Sequence, residues 1–127
     1  MTWATRDAVT KSGSRSDSVT ASAGPICDPD PICTSAPDVQ QFLRDAVATI
    51  CREVPELGGF FTISASENLS NCWSHGGGAN CPRCGKRPPA DVIAEVNRLV
   101  VEGIRKAGSQ SRLLAWDWGW NDAWAES

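Results

Sequence analysis

From Pro37 onward, apolar side chains recur every three or four residues, at Val39, Phe42, Leu43, Ala46, Val47, Ile50 and Val54. That spacing predicts one face of a helix. Pro37 suits its first turn, and Asp38 there complements the positive end of the helix dipole. Pro55 and the Gly58-Gly59 pair end it. The period then changes. Gly59 to Ile63 reads as a buried strand that turns small and polar through Ser64-Ala65-Ser66-Glu67. Residues 68–88 form a loop rich in Cys and His. Pro88-Pro89 opens a second helix, whose face is Val92, Ile93, Val96, Leu99, Val100 and Ile104. Glu102 and Lys106 add an i,i+4 pair on that helix, and Gly108 stops it. Leu113-Leu114-Ala115-Trp116-Asp117 then predicts a second buried strand, followed by Trp118-Gly119-Trp120.

The order is helix, strand, loop, helix, strand. Two buried strands joined by a helix predict a parallel βαβ crossover and an α/β fold. Two parallel strands cannot by themselves form a sheet with both faces covered. The pattern therefore implies further strands, from flanking sequence or another chain, and the C-terminus looks cut. Upstream, residues 1–24 are rich in Ser, Thr, Ala and Gly with almost no apolar periodicity, and read as disordered. Residues 25–36, with Pro25, Pro29 and Pro31, form a turn-rich entry to the folded segment 25–127.

Composition narrows the function classes. The 127 residues suffice for one domain with a modest core, and the net charge is −3. An acidic balance argues against a nucleic-acid binder, which normally shows a basic face. Arg83, Lys86 and Arg87 make only a small basic cluster. No apolar run approaches the roughly 20 residues of a membrane span. No secretion signal is visible, so the expected compartment is the cytoplasm. There, six cysteines point to a metal site rather than a disulfide framework.

Four soft ligands fall in one short loop: Cys72, His75, Cys81 and Cys84, spaced C-x2-H-x5-C-x2-C, with His75 the only histidine. Cys3His is a standard closed set for tetrahedral zinc, and four protein ligands leave no position for water, so the role would be structural. Gly85 is expected to ease the turn by a left-handed backbone. A Cys72–Cys81 disulfide is the alternative. Cys27 and Cys33 lie too far along the chain to assign, and Cys51 is expected to be a buried thiol.

Glu67 and Asp117 follow the ends of the two strands, where parallel α/β architectures bind ligands. They are candidates for acid/base or nucleophilic work on a glycosidic bond. Spacing alone favours a turn cap and a solvated loop acid. Tryptophan shifts the balance: of six in the chain, five lie between Trp73 and Trp124, and there is no tyrosine. Trp116, Trp118 and Trp120 surround Asp117, and Trp73 sits in the Cys/His loop. Indole faces stack well on sugar rings. For Trp116, inside a strand, core packing is the stronger expectation.

The stretches Gly-Gly-Phe-Phe-Thr-Ile-Ser-Ala-Ser-Glu-Asn at 58–68, Cys-Pro-Arg-Cys at 81–84 and Leu-Leu-Ala-Trp-Asp-Trp-Gly-Trp at 113–120 resemble consecutive βα units of (β/α)8-barrel glycoside hydrolases. The similarity is to the hexosaminidase-like group, glycoside hydrolase family 20 and its bacterial relatives. The resemblance implies a partial barrel, a carbohydrate substrate, Glu67 as general acid and Asp117 in contact with substrate. It also implies substrate-binding roles for Asn68, Trp73, Trp116, Trp118 and Trp120. In family 20 the acid follows an Asp that assists the substrate, and here that position is Ser66. It covers about residues 25–124, a small part of a barrel that usually needs about 250. The isolated chain is expected to have little or no hydrolase activity. The competing class is a small zinc-binding interaction module without catalysis.

Overall fold

The computed structural model describes residues 32–74 and 76–125. The disorder expected for residues 1–24 and the assignment of Cys27 lie outside them. Helix α1 spans Pro37–Glu53, strand β1 Gly59–Ile63, helix α2 Pro89–Lys106, strand β2 Arg112–Trp116 and the short helix α3 Asp122–Ala125. Between β1 and α2 the chain makes two 3-10 turns, Gly77–Asn80 and Cys84–Lys86.

The predicted order is the observed one. Each long helix has a proline in its first turn, where a missing N–H costs nothing, and an acidic residue beside it. Helix α2 ends on Gly108, whose φ of 67° is left-handed. The Gly108 N–H donates to Arg105 and the Ser109 N–H to Ile104. These two bonds satisfy the last helical carbonyls in the manner of a Schellman cap.

Strands β1 and β2 pair in parallel, with Gly59 opposite Arg112 and Ile63 opposite Trp116. The fold is thus mixed α/β, with the crossover helix the sequence predicts. Both helices pack on one face of the sheet. Phe60 and Leu113 point to that side and close over Val47, Cys51, Val100 and Ile104. Thr62, two residues from Phe60, donates its hydroxyl hydrogen to Asn97 of α2 at 2.6 Å.

The other face corrects the expectation of buried strands. Phe61 is 56% exposed, Leu114 64% and Trp116 46%. Side chains alternate across a strand, so an apolar run with helices on one side only must leave its second face open. The expected core role of Trp116 fails for the same reason.

The helix faces are also narrower than periodicity suggests. In α1 the buried residues are Val47, Ala48 and Cys51, whereas Phe42, Ile50 and Val54 are exposed. The cover that α1 receives from α2 and the sheet is a narrower stripe than the apolar set spans. Helix α2, packed by α1 and the sheet, buries Val92, Ile93, Leu99, Val100 and Ile104 as predicted. Glu102 and Lys106 do not pair with each other as expected. Glu102 binds Arg44 of α1 and Arg98, and Lys106 binds Asp45 of α1. The cross-helix partners win because α1 lies against that edge of α2.

Candidate metal centre

Helix α1 packs against a parallel strand pair and leads into β1 through a short turn, so it runs back along the sheet. Its N-terminus therefore lies at the end where β1 exits. The segment entering α1 and the loop leaving β1 meet there. The Ile32 N–H donates to the Leu69 carbonyl at 3.3 Å.

This meeting brings four buried cysteines together: Cys33, Cys72, Cys81 and Cys84, with all four Sγ atoms within 4.8 Å of one another. Cys33 Sγ lies 3.8 Å from Cys81 Sγ and 3.8 Å from Cys84 Sγ. None of the described cysteines forms a disulfide. Three of the predicted ligands, Cys72, Cys81 and Cys84, are therefore brought together, and Cys33 joins them. His75 lies outside the described residues.

The geometry can be tested against a metal. A tetrahedral ion with metal–sulfur bonds of about 2.3 Å separates its sulfurs by about 3.8 Å along each edge. The Cys33 distances match that edge. An iron–sulfur cluster would place inorganic atoms between the thiolates and spread them further. Four cysteines at this spacing could hold one tetrahedral ion, and thiolate donors suit zinc.

Local structure shapes the knuckle. The Gly85 N–H donates to the Cys81 carbonyl at 2.8 Å, and the Cys84 N–H to Cys81 Sγ at 3.3 Å. Gly85 is needed, though not for the expected left-handed backbone: among the described residues the glycines with positive φ are Gly76, Gly108 and Gly119. A Cβ on Gly85 would stand 2.6 Å from the Ala79 carbonyl oxygen. It is close approach, not dihedral freedom, that demands glycine there.

Burial pushes the Cys84 thiol above its ordinary value, an effect that hydrogen bonding with Ser35 and Cys72 opposes. Ser35 Oγ lies 3.2 Å from Cys84 Sγ and accepts a hydrogen bond from Arg87 at 2.7 Å. Arg87 in turn pairs at 2.7 Å with Glu95, which is only 5% exposed. Glu95 is also held by Arg98 at 2.6 Å and by the Gln40 amide at 3.3 Å.

Trp73 packs against the cysteine cluster, and its indole N–H donates to the Cys84 carbonyl at 3.4 Å. It forms a wall of the centre. Asn71, fully buried, donates to the Ser64 carbonyl, and its own oxygen accepts from the Trp73 N–H at 2.8 Å. The sequence reading missed Cys33, Ser35, Asn71 and Glu95.

Glu67, Asn68 and Asp117 are exposed beyond the strand ends. The two exits are knit together. Trp120 donates its indole N–H to Ser64 Oγ at 3.3 Å. Gly119, at φ 87°, lies so close to Ala65 that a Cβ would overlap its carbonyl oxygen. Trp118 stacks on Trp116 with ring centres 5.3 Å apart and planes 22° apart, and Phe61 lies 5.8 Å from Trp116. Trp118 and Trp116 thus form an exposed aromatic shelf, while Trp120 is an anchor.

No family model, curated protein or solved structure matches the chain. No helix among the described residues is long and apolar enough to cross a membrane.

Proposed function

We propose that this chain binds one zinc ion through Cys33, Cys72, Cys81 and Cys84, and that the ion is structural. It ties the segment entering α1 to the loop leaving β1, and so fixes the rim at the C-terminal end of the strands. The observation that carries this reading is the buried sulfur tetrad, with all four Sγ atoms within 4.8 Å. Four thiolates fill a tetrahedral shell, so the ion would hold no water for catalysis.

The test is metal stoichiometry after reconstitution. One zinc per chain is expected, with cobalt substitution giving the intense sulfur-to-metal charge transfer of a thiolate site. Cys33→Ser should lose stoichiometric binding and His75→Asn should keep it. A wild-type chain that takes up no metal would end the proposal. The opposite pattern in the two variants would restore the Cys3His set.

One observation favours a second reading, a segment of a carbohydrate-active barrel. Helices cover one face of a parallel strand pair, and Phe61, Leu114 and Trp116 stand open on the other. That is the layering of a barrel βα unit, whose inner face waits for further strands. Glu67 would be the general acid, with Asp117, Asn68, Trp116 and Trp118 at the substrate. In a protein that supplies the remaining strands, Glu67→Gln should abolish hydrolysis of aryl glycosides and leave zinc content unchanged. Hydrolysis that survives the change removes Glu67 from that role.

A further inference from the structure

We infer that Ser35 and Arg87 are positioning residues for the sulfur tetrad: they stabilise the Cys84 thiolate, and the buried carboxylate of Glu95 holds Arg87 in place for that task. This rests on the zinc reading above and extends it to residues outside the ligand set.

The need comes from charge. Four thiolates around a divalent ion carry a net charge of −2. The cysteines are buried, so water does not solvate that charge. Groups of the protein must do so. The Cys84 N–H already points at Cys81 Sγ. On the Cys84 side the partner is Ser35, 3.2 Å from the sulfur.

A hydroxyl has one proton and two lone pairs. While Cys84 is a thiol, its S–H donates to Ser35 Oγ. Once the sulfur is a metal-bound thiolate it has no proton, and the contact survives only if Ser35 donates. Arg87 fixes that direction. Its guanidinium donates to Ser35 Oγ at 2.7 Å and can never accept. It occupies a lone pair and leaves the hydroxyl proton for the sulfur. Its positive charge also lies one hydroxyl away from a negative centre.

Arg87 is itself held by Glu95, at 2.7 Å through the same terminal nitrogen. Arg98 and Gln40 hold the other carboxylate oxygen of Glu95. Gln40 also donates to the Thr34 carbonyl, at 2.7 Å, next to Cys33. The relay Glu95–Arg87–Ser35–Cys84 thus links helix α2 to the tetrad, and Gln40 closes it on the other side. Outer partners of metal ligands of this kind typically change affinity by about 10–100-fold when removed.

The experiment measures zinc affinity by competition with a chromophoric chelator on the full chain, for wild type, Ser35→Ala, Arg87→Met and Lys106→Met. Helix content is checked by circular dichroism at saturating zinc. The expected result is a loss of about 10-fold or more in both Ser35→Ala and Arg87→Met. Lys106→Met, which removes a surface pair with Asp45 and no contact of the relay, should stay near wild type. In the cobalt-loaded protein, Ser35→Ala should move the charge-transfer band to longer wavelength, because the Cys84 sulfur loses a hydrogen bond. Affinity within twofold of wild type in Ser35→Ala overturns the inference, even if Arg87→Met does not fold. So does an equal loss in all three variants, which would mark a general loosening. Wild-type protein that binds no metal instead overturns the zinc reading, and this inference with it.

Discussion

The two small cores of this domain are built from different materials. Around the rim, Cys33, Ala36, Cys72, Cys81, Cys84 and Val92 pack together, with Val39 and Trp73 against them. Between helices and sheet, Val47, Cys51, Val100 and Ile104 pack with Phe60, Ala107 and Leu113. The second core is held by aliphatic burial along two long helices. The first gathers four sulfurs and short side chains on loops and 3-10 turns. Short side chains remove little apolar surface from water, and turns make few repeating hydrogen bonds. A cluster of thiols has no strong attraction of its own. An ion that drew four thiolates together, as proposed, would supply what the sequence there withholds. The difference between the two cores is therefore a difference in what must be present for each to hold.

The sharpest way to break that comparison is to deny the rim the proposed metal. Binding at structural zinc sites amounts to about 10–16 kcal/mol in small zinc-finger peptides. Chelation, or Cys84→Ser, should then cost the rim its order while the helical core stays folded. Hydrogen exchange reads this residue by residue. Protection in 69–88 should fall steeply, and protection in α2 from Leu99 to Ile104 should persist. Uniform loss through both regions would mean that one cooperative core spans them, and the contrast would fail.

The helical core can be attacked separately at Gly103, which is buried where α1 crosses α2. A Cβ there would stand 2.7 Å from Val47 Cβ and 2.8 Å from the Arg44 carbonyl oxygen. Alanine gains about 1 kcal/mol over glycine in an unhindered helix. Overpacking typically costs about 1–3 kcal/mol. Because backbone as well as side chain stands in the way, the steric cost should win. Gly103→Ala is expected to destabilise the fold by about 1 kcal/mol or more, read as a lower denaturation midpoint. Zinc content should not change. A stabilised variant would mean that the helices can part without loss, and that the packing at Val47 is looser than these distances imply.

The same division explains what could be read in advance. Helices α1 and α2, both strands and their parallel pairing follow from period, proline placement and Gly108, because these are local signals. The open sheet face was half legible: the run Phe60-Phe61 asks for cover on two sides, but only tertiary structure says which side receives it. Three of the four sulfurs were legible because they share a loop. Cys33 was not, since nothing local distinguishes it from Cys27. Yet topology carried a clue. A helix that leads back into a parallel strand must start at the end where that strand exits, which places Cys33 beside the Cys72–Cys84 loop. Arg87 was read only as one of three charges in a small basic cluster. Its burial partner Glu95 lies on the apolar side of α2, and an acid in that position was the signal to follow.

A smaller effect sharpens the comparison from the acid side. The Arg44 guanidinium, and then Arg98, hold the Glu102 carboxyl below its ordinary value of 4.5. Lys106 does the same to Asp45, whose ordinary value is 3.8. A carboxylate with a depressed folded pKa favours the folded state above its unfolded pKa. That contribution is lost as pH falls through the folded value, so it is complete above about pH 5 and fades below about pH 4. Both pairs are solvated, and the Glu102 pair should contribute about 0.5 kcal/mol or less. Acid also protonates thiolates and releases metal, so wild type alone cannot separate the two cores. The difference between wild type and Glu102→Gln can. Thermal midpoints of the two should differ slightly at pH 7 and converge near pH 3. Added salt at pH 7 should shrink the gap, since screening weakens exposed pairs. A gap that persists at pH 3 would show that Glu102 stabilises α1 against α2 by packing of its side chain, with its charge playing no part.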